Sequence, residues 1–137
     1  LQNYYSSQAS WQHPYFIAAA NEYGLRIINS DVDTIEQLIY QQQPSLKSAI
    51  WLKDHVNLIY TAENGIFMIN TITKNITLIK SSCSTRKYLF PTYSPQSDKI
   101  IYQRVDLKQV SSSTVSVKIR LYMMNVDGSE EKEIEIN

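Results

Sequence analysis

Pro91-Thr92-Tyr93-Ser94-Pro95-Gln96-Ser97-Asp98-Lys99-Ile100-Ile101-Tyr102 reads as a strand, a tight turn and a second strand. Pro95 presets φ for the turn, and the Ser97 and Asp98 side chains are of the kind that bond their own backbone. An apolar run follows Lys99. Trp51-Leu52-Lys53-Asp54-His55-Val56-Asn57-Leu58-Ile59-Tyr60 repeats this layout 42 residues earlier without a gap. Trp11-Gln12-His13-Pro14-Tyr15-Phe16-Ile17-Ala18-Ala19-Ala20 repeats it a further 40 residues earlier. A period of this length is the mark of a repeat architecture.

The match runs past the first hairpin. Gly24-Leu25-Arg26-Ile27-Ile28-Asn29 aligns with Gly65-Ile66-Phe67-Met68-Ile69-Asn70 and with Arg120-Leu121-Tyr122-Met123-Met124-Asn125. A polar turn follows each, at 30–33, 71–75 and 126–130, and then a closing apolar segment at 35–38, 76–79 and 134–136. Four short strands in about 40 residues is the pattern of a β-propeller blade. The expected fold is therefore all-β: three four-stranded antiparallel blades over residues 4–43, 44–82 and 86–137.

The stretches Ser94-Pro95-x-x-x-Lys99-Ile100-Ile101-Tyr102 and Leu121-Tyr122-x-Met124-Asn125-x-Asp127-Gly128-Ser129 resemble the TolB-type, WD-like propeller repeat. Gln96-Ser97-Asp98 stands where that family has Asp-Gly. The resemblance implies a non-catalytic, partner-binding propeller in a bacterial envelope, periplasmic or secreted setting. Two other classes stay open: the propeller of a larger hydrolase whose catalytic domain lies elsewhere, and a structural subunit of an oligomeric assembly. Three blades are too few to close a ring of 4–8. Further blades are expected from the same parent chain or from other subunits, and the start at Leu1 rather than Met suggests a fragment or a processed form.

Composition narrows the classes. A hydrophobic share of 43% with 10 Tyr argues against a disordered chain. Thirteen basic residues balance thirteen acidic ones, which disfavours nucleic-acid binding by bulk charge. The one cysteine, Cys83, excludes an intrachain disulfide. No apolar run nears the ~20 residues of a membrane helix.

Residues 33–43 are ambiguous read alone. Ile35, Leu38 and Ile39 sit at helical spacing behind a possible N-cap at Asp33 or Thr34, whereas the repeat makes them an outer strand. Pro14, Pro44 and Pro95 fall in turns or crossings, and Pro91 falls inside a proposed strand. Ile59, Ile69 and Ile101 are expected in the core, with Tyr122 at least partly buried.

Catalytic chemistry finds little support in the residues. His13 and His55 recur at turn positions with no third ligand at metal spacing. The 31–36 stretch hints at a calcium loop but has no glycine and falls short of twelve residues. Cys83 lies near Arg86 and Lys87, which would lower a thiol pKa, yet neither histidine falls beside it in the repeat. No Gly-x-Ser-x-Gly elbow exists. Asn75-Ile76-Thr77 is a formal sequon at a strand start. Trp11, Trp51 and Tyr93 are equivalent positions, better suited to packing between blades than to a ligand cage. No metal or cofactor is expected, and no enzymatic activity.

One feature breaks the period. Residues 105–116 add about a dozen positions between the second and third strands of the third blade, either as a solvated hairpin or as a binding loop. Insertions in repeat proteins gather on one face, often the binding face. That face should also hold the crossings at 40–44 and 81–86. The expected protein-partner site is Arg86, Arg104, Asp106, Lys108, Gln109 and Val110, with Tyr40 adding apolar contact.

Overall fold

The computed structural model describes residues 6–9, 16–21, 24–29, 34–40, 46 and 48–136. Among them are twelve strands and no helix. The first blade is β1 (Ser6–Ala9), β2 (Phe16–Asn21), β3 (Gly24–Asn29) and β4 (Thr34–Tyr40). The second is β5 (Ser48–Trp51), β6 (Asn57–Ala62), β7 (Gly65–Asn70) and β8 (Ile76–Ser81). The third is β9 (Arg86–Ser94), β10 (Lys99–Gln109), β11 (Val115–Asn125) and β12 (Lys132–Glu133). Each blade is a four-stranded sheet whose strands lie in chain order, every neighbour antiparallel. The 40- and 42-residue offsets are thus the lengths of two meanders.

The ambiguous segment is strand β4. Its pairing with β3 shifts register between Leu25 and Arg26, which leaves Leu38 as an extra residue opposite the partner strand. This bulge turns both Leu38 and Ile39 toward the core. Strict alternation is broken there, and the apolar spacing takes on a helical look. Blade two has the same bulge, between Ile66 and Phe67. Pro91 likewise lies at an irregularity: Ile101 pairs Thr92 but Gln103 pairs Leu89, so Phe90 and Pro91 together oppose Tyr102. Proline has no ladder N–H to offer, and a bulge is where a strand tolerates one. Phe90 adopts φ 50° and is largely exposed.

The blades join through two apolar clusters. Ala18, Ala20, Leu25 and Ile27 of blade one meet Leu46, Ala49, Trp51, Leu58, Tyr60 and Ile69 of blade two. The alanines that look poor for a strand sit in the same cluster as the Trp51 indole. Leu52, Ile59 and Ile66 of blade two meet Tyr88, Tyr93, Ile100, Tyr102, Tyr122 and Met124 of blade three. Tyr88 stands edge-on to Tyr102 at 5.5 Å, and Tyr102 stacks with Tyr122 at 6.2 Å. Trp51 and Tyr93 are therefore packing residues; Trp11 lies outside the described residues.

Two expectations need correction. Ile59, Ile69 and Tyr122 are buried as read, but Ile101 is half-buried, and it is Ile100 that is fully enclosed. Side chains alternate along a strand, so Ile100 and Tyr102 face blade two while Ile101 faces the other way. Its equivalent, Ile59, is covered because blade three lies on it; no described blade lies on Ile101. The closing segment of blade three, expected over 134–136, is not the outer strand, which spans only Lys132–Glu133. Glycine explains the difference. A Cβ on Gly24 would sit 1.8 Å from the Ile39 carbonyl oxygen, and one on Gly65 would sit 2.0 Å from that of Lys80. Bare glycine lets the outer strand come up to that point in blades one and two. Blade three has Arg120 there, and β12 pairs with Tyr122 and Met123 alone.

Candidate functional site

The 105–116 insertion is a two-stranded arm: Val105 and Asp106 still pair with Lys87 and Arg86 of β9, and beyond them β10 and β11 run on past the rest of the sheet. They stay paired out to Gln109 and Val115. The tip closes through Val110 N donating to Thr114 O (3.0 Å), and the Gln109 side chain donates to the Ser111 carbonyl. Serines at 111–113 suit such a turn because their hydroxyls bond nearby backbone.

The crossing from blade two to blade three is fastened on both sides of the arm's base. Ser82 N donates to Asn64 O (2.9 Å) and Ser82 Oγ to Glu63 O (2.6 Å), both on the β6–β7 turn. Cys83 and Arg86 form an isolated bridge. Leu107 N then donates to Thr85 O (2.8 Å), joining the crossing to the arm. The crossing, the β6–β7 turn and the arm therefore share one face, as the repeat layout requires. The other proposed crossing, 41–44, lies outside the described residues, as do the side chain of Tyr40, His13 and the 31–33 part of the acidic stretch.

Charge gathers at the arm's base. Arg86 Nε donates to Asp106 Oδ1 (2.7 Å) and Arg104 Nε to Asp106 Oδ2 (2.9 Å). Arg104 Nη1 also reaches Glu131 Oε1 (3.4 Å), and Lys80 of blade two donates to Glu131 Oε2 (2.6 Å). The Arg104 guanidinium lies 3.9 Å above the Tyr122 ring centre, close enough for a cation–π contact. Burial alone would raise the Asp106 carboxyl, but hydrogen bonds from Arg86 and Arg104 outweigh it and hold it below the usual range. Glu131 follows the same pattern, with Lys80 foremost among the groups that lower it. Burial, and then the neighbouring Glu131 carboxylate, push the Tyr102 hydroxyl above its ordinary range.

Arg86, Arg104 and Asp106 are thus brought together, and they are paired with one another. Lys108, Gln109 and Val110 stand farther out on the arm, exposed. The arm's two faces differ. Val105 and Leu107 pair with Ile119 and Val117, giving an apolar side on which Val115, Val117 and Ile119 are 48%, 57% and 59% exposed. Asp106 and Lys108 share the other side with Lys118 and Arg120. Sequence reasoning missed Lys80 and Glu131. They are far apart in the chain and only the stacking of blades two and three unites them.

Cys83 is exposed, and hydrogen bonds involving Thr85 lower its thiol pKa. Among the described residues no group of three or more His, Cys, Asp or Glu side chains could hold a metal ion. No helix among them is long and apolar enough to cross a membrane.

No protein-family model matches the chain. No curated protein matches it either. Solved structures do. An oligogalacturonate lyase from Vibrio parahaemolyticus superposes with a TM-score of 0.73 at 12% identity, over 98% of this chain and 40% of that one. A putative TolB from Agrobacterium tumefaciens gives 0.72 at 13% identity, over 93% and 47%. The tricorn protease gives 0.66 at 7% identity, over 98% of this chain and 17% of that one. The fold the chain shares with them is that of β-propeller blades. The chain spans less than half the length of each of these structures.

Proposed function

We propose that this chain is a non-catalytic part of a TolB-like propeller and that it holds a protein partner through the arm and the adjoining crossing, in a periplasmic or secreted setting. The observation that carries this reading is the arm itself. It departs from the repeat, it stands beyond the sheet, and it exposes three β-branched side chains beside a charged face. Apolar contact inside a polar, charged rim suits a protein partner. Likeness to a putative TolB supports the setting. The tricorn protease and a dipeptidyl peptidase 4 from Porphyromonas gingivalis also resemble the chain in fold, which keeps the propeller of a larger hydrolase as the second reading.

Replacing residues 108–114 with a two-residue Asn-Gly turn tests the proposal. Loop length costs little stability, so the fold should survive while capture of the native partner from an envelope extract falls at least tenfold. Undiminished capture would remove the arm from the site. Turnover of peptide, ester or oligogalacturonate substrates by the purified chain, lost on a point substitution within it, would overturn the non-catalytic reading.

A further inference from the structure

We infer that the outer edge of β11 over residues 115–120 is a strand-addition site for an extended partner segment in which acidic and apolar residues alternate. This rests on the reading of the arm as the partner-binding element and says how it would bind.

The edge is open. β12 pairs β11 only at Tyr122 and Met123, and Ile134 N adds one bond to Leu121 O (2.9 Å). Beyond that, among the described residues, no strand pairs with the outer side of β11. Backbone groups of alternate residues point to alternate sides of a strand. Because the Leu121 carbonyl points outward, so do the N–H and C=O groups of Ile119, Val117 and Val115. Three donors and three acceptors face solvent in a row, a ready template for another chain.

The chain itself indicates what fits. Glu133 lies opposite Tyr122, and its carboxylate accepts from Arg120 Nη1 (2.8 Å) and from the Tyr122 hydroxyl (3.3 Å). An acid on the strand beside β11 is thus met by the cations of β11. Lys118, the next residue on that face after Arg120, makes no ion pair among the described residues, and neither does Lys108. A strand continuing the line of β12 would set residues opposite Lys118 and Ser116 on the charged face. It would set others opposite Val115, Val117 and Ile119 on the apolar face. Where β12 turns away, a hollow of about 420 Å³ opens between Ile119, Arg120 and Leu121 and the segment from Glu133 to Ile136. That hollow gives the end of an added strand somewhere to seat.

A fluorescein-labelled peptide, Glu-Val-Glu-Val-Glu-Val-Glu, titrated against the purified chain by fluorescence anisotropy, is the test. Saturable binding is expected. The Lys-Val counterpart, and the Glu-Val peptide with its valine amides N-methylated, should bind at least tenfold more weakly. Val117→Pro removes one outward N–H and leaves the β10 ladder alone, so it should weaken the peptide at least tenfold. Lys118→Glu should reverse the preference between the two peptides. Should Val117→Pro fail to fold, the N-methylated peptide on the parent protein decides the matter. Binding indifferent to N-methylation overturns strand addition, and a parent that dimerises through this edge while Val117→Pro stays monomeric overturns the partner segment as its occupant. If trimming the tip abolishes partner capture but N-methylation changes nothing, the arm remains the site and only its mode of binding is wrong. If the peptide binds as expected but the native partner ignores both the trimming and Val117→Pro, the functional reading is the one that fails.

Discussion

Ile100→Ala and Ile101→Ala, made separately, remove the same three carbons from adjacent residues of one strand. Ile100 is fully buried between blades two and three, in the cluster that holds Ile59, Ile66, Tyr102 and Met124. At about 0.8 kcal/mol per buried methylene, the transfer loss is about 2.4 kcal/mol. The walls are themselves packed and relax only in part, so the cavity brings the total to about 3–4 kcal/mol. Ile101 faces the uncovered side of blade three, where water already reaches it, and its truncation should cost about 1 kcal/mol or less. With an m-value of about 1–3 kcal/mol/M in urea, Ile100→Ala should lower the unfolding midpoint by about 1–4 M, and Ile101→Ala by no more than about a third as much. Urea titration followed by far-UV circular dichroism measures both. Equal shifts, or a larger one for Ile101→Ala, would mean that the strand is turned over and the inter-blade packing described above is wrong.

Gly65→Ala should destabilise the chain by roughly 2 kcal/mol or more, since the new Cβ would lie 2.0 Å from the Lys80 carbonyl oxygen at φ 152°; thermal melts of the two proteins give the difference. Acid should loosen the base of the arm. The Asp106 carboxyl is depressed in the folded chain, against about 3.9 unfolded. Its contribution is therefore complete above the unfolded value and is lost as pH falls through the lower folded one. Melts between pH 7 and pH 3 should show a steeper acid loss for the parent than for Asp106→Asn, and parallel profiles would contradict the pairing with Arg86 and Arg104.

Much of the architecture is legible in the residues because a repeat shows itself three times. Trp51 and Tyr93 stand at one offset and Ile59 and Ile101 at the same one, so a weak local signal in one copy is corrected by another. Failures came where the copies differ or where the signal is not local. Ile35, Leu38 and Ile39 mimic a helix because a bulge inserts Leu38, and hydrophobic spacing carries no mark of a bulge. Ile101 is half-buried because burial depends on what lies over a face, not on the strand that presents it. Arg120 replaces a glycine, and only the close approach of Ile39 O and Lys80 O in the other blades reveals what that costs the outer strand. The arm was visible as surplus length. Its charge network was not, because Lys80 and Glu131 meet only after two sheets have stacked.

The two apolar clusters set how damage and stabilisation travel. Blade two belongs to both, while among the described residues no buried residue of blade one joins the second cluster and none of blade three joins the first. Cohesion of this kind runs between nearest neighbours, as in a row of stacked units. Blade three can open by losing one interface, whereas blade two must lose two. Amide exchange should therefore be slowest in β6 and β7 and faster in β10. A strand bound along β11 would slow exchange in blade three first, and its effect would fade with each interface crossed.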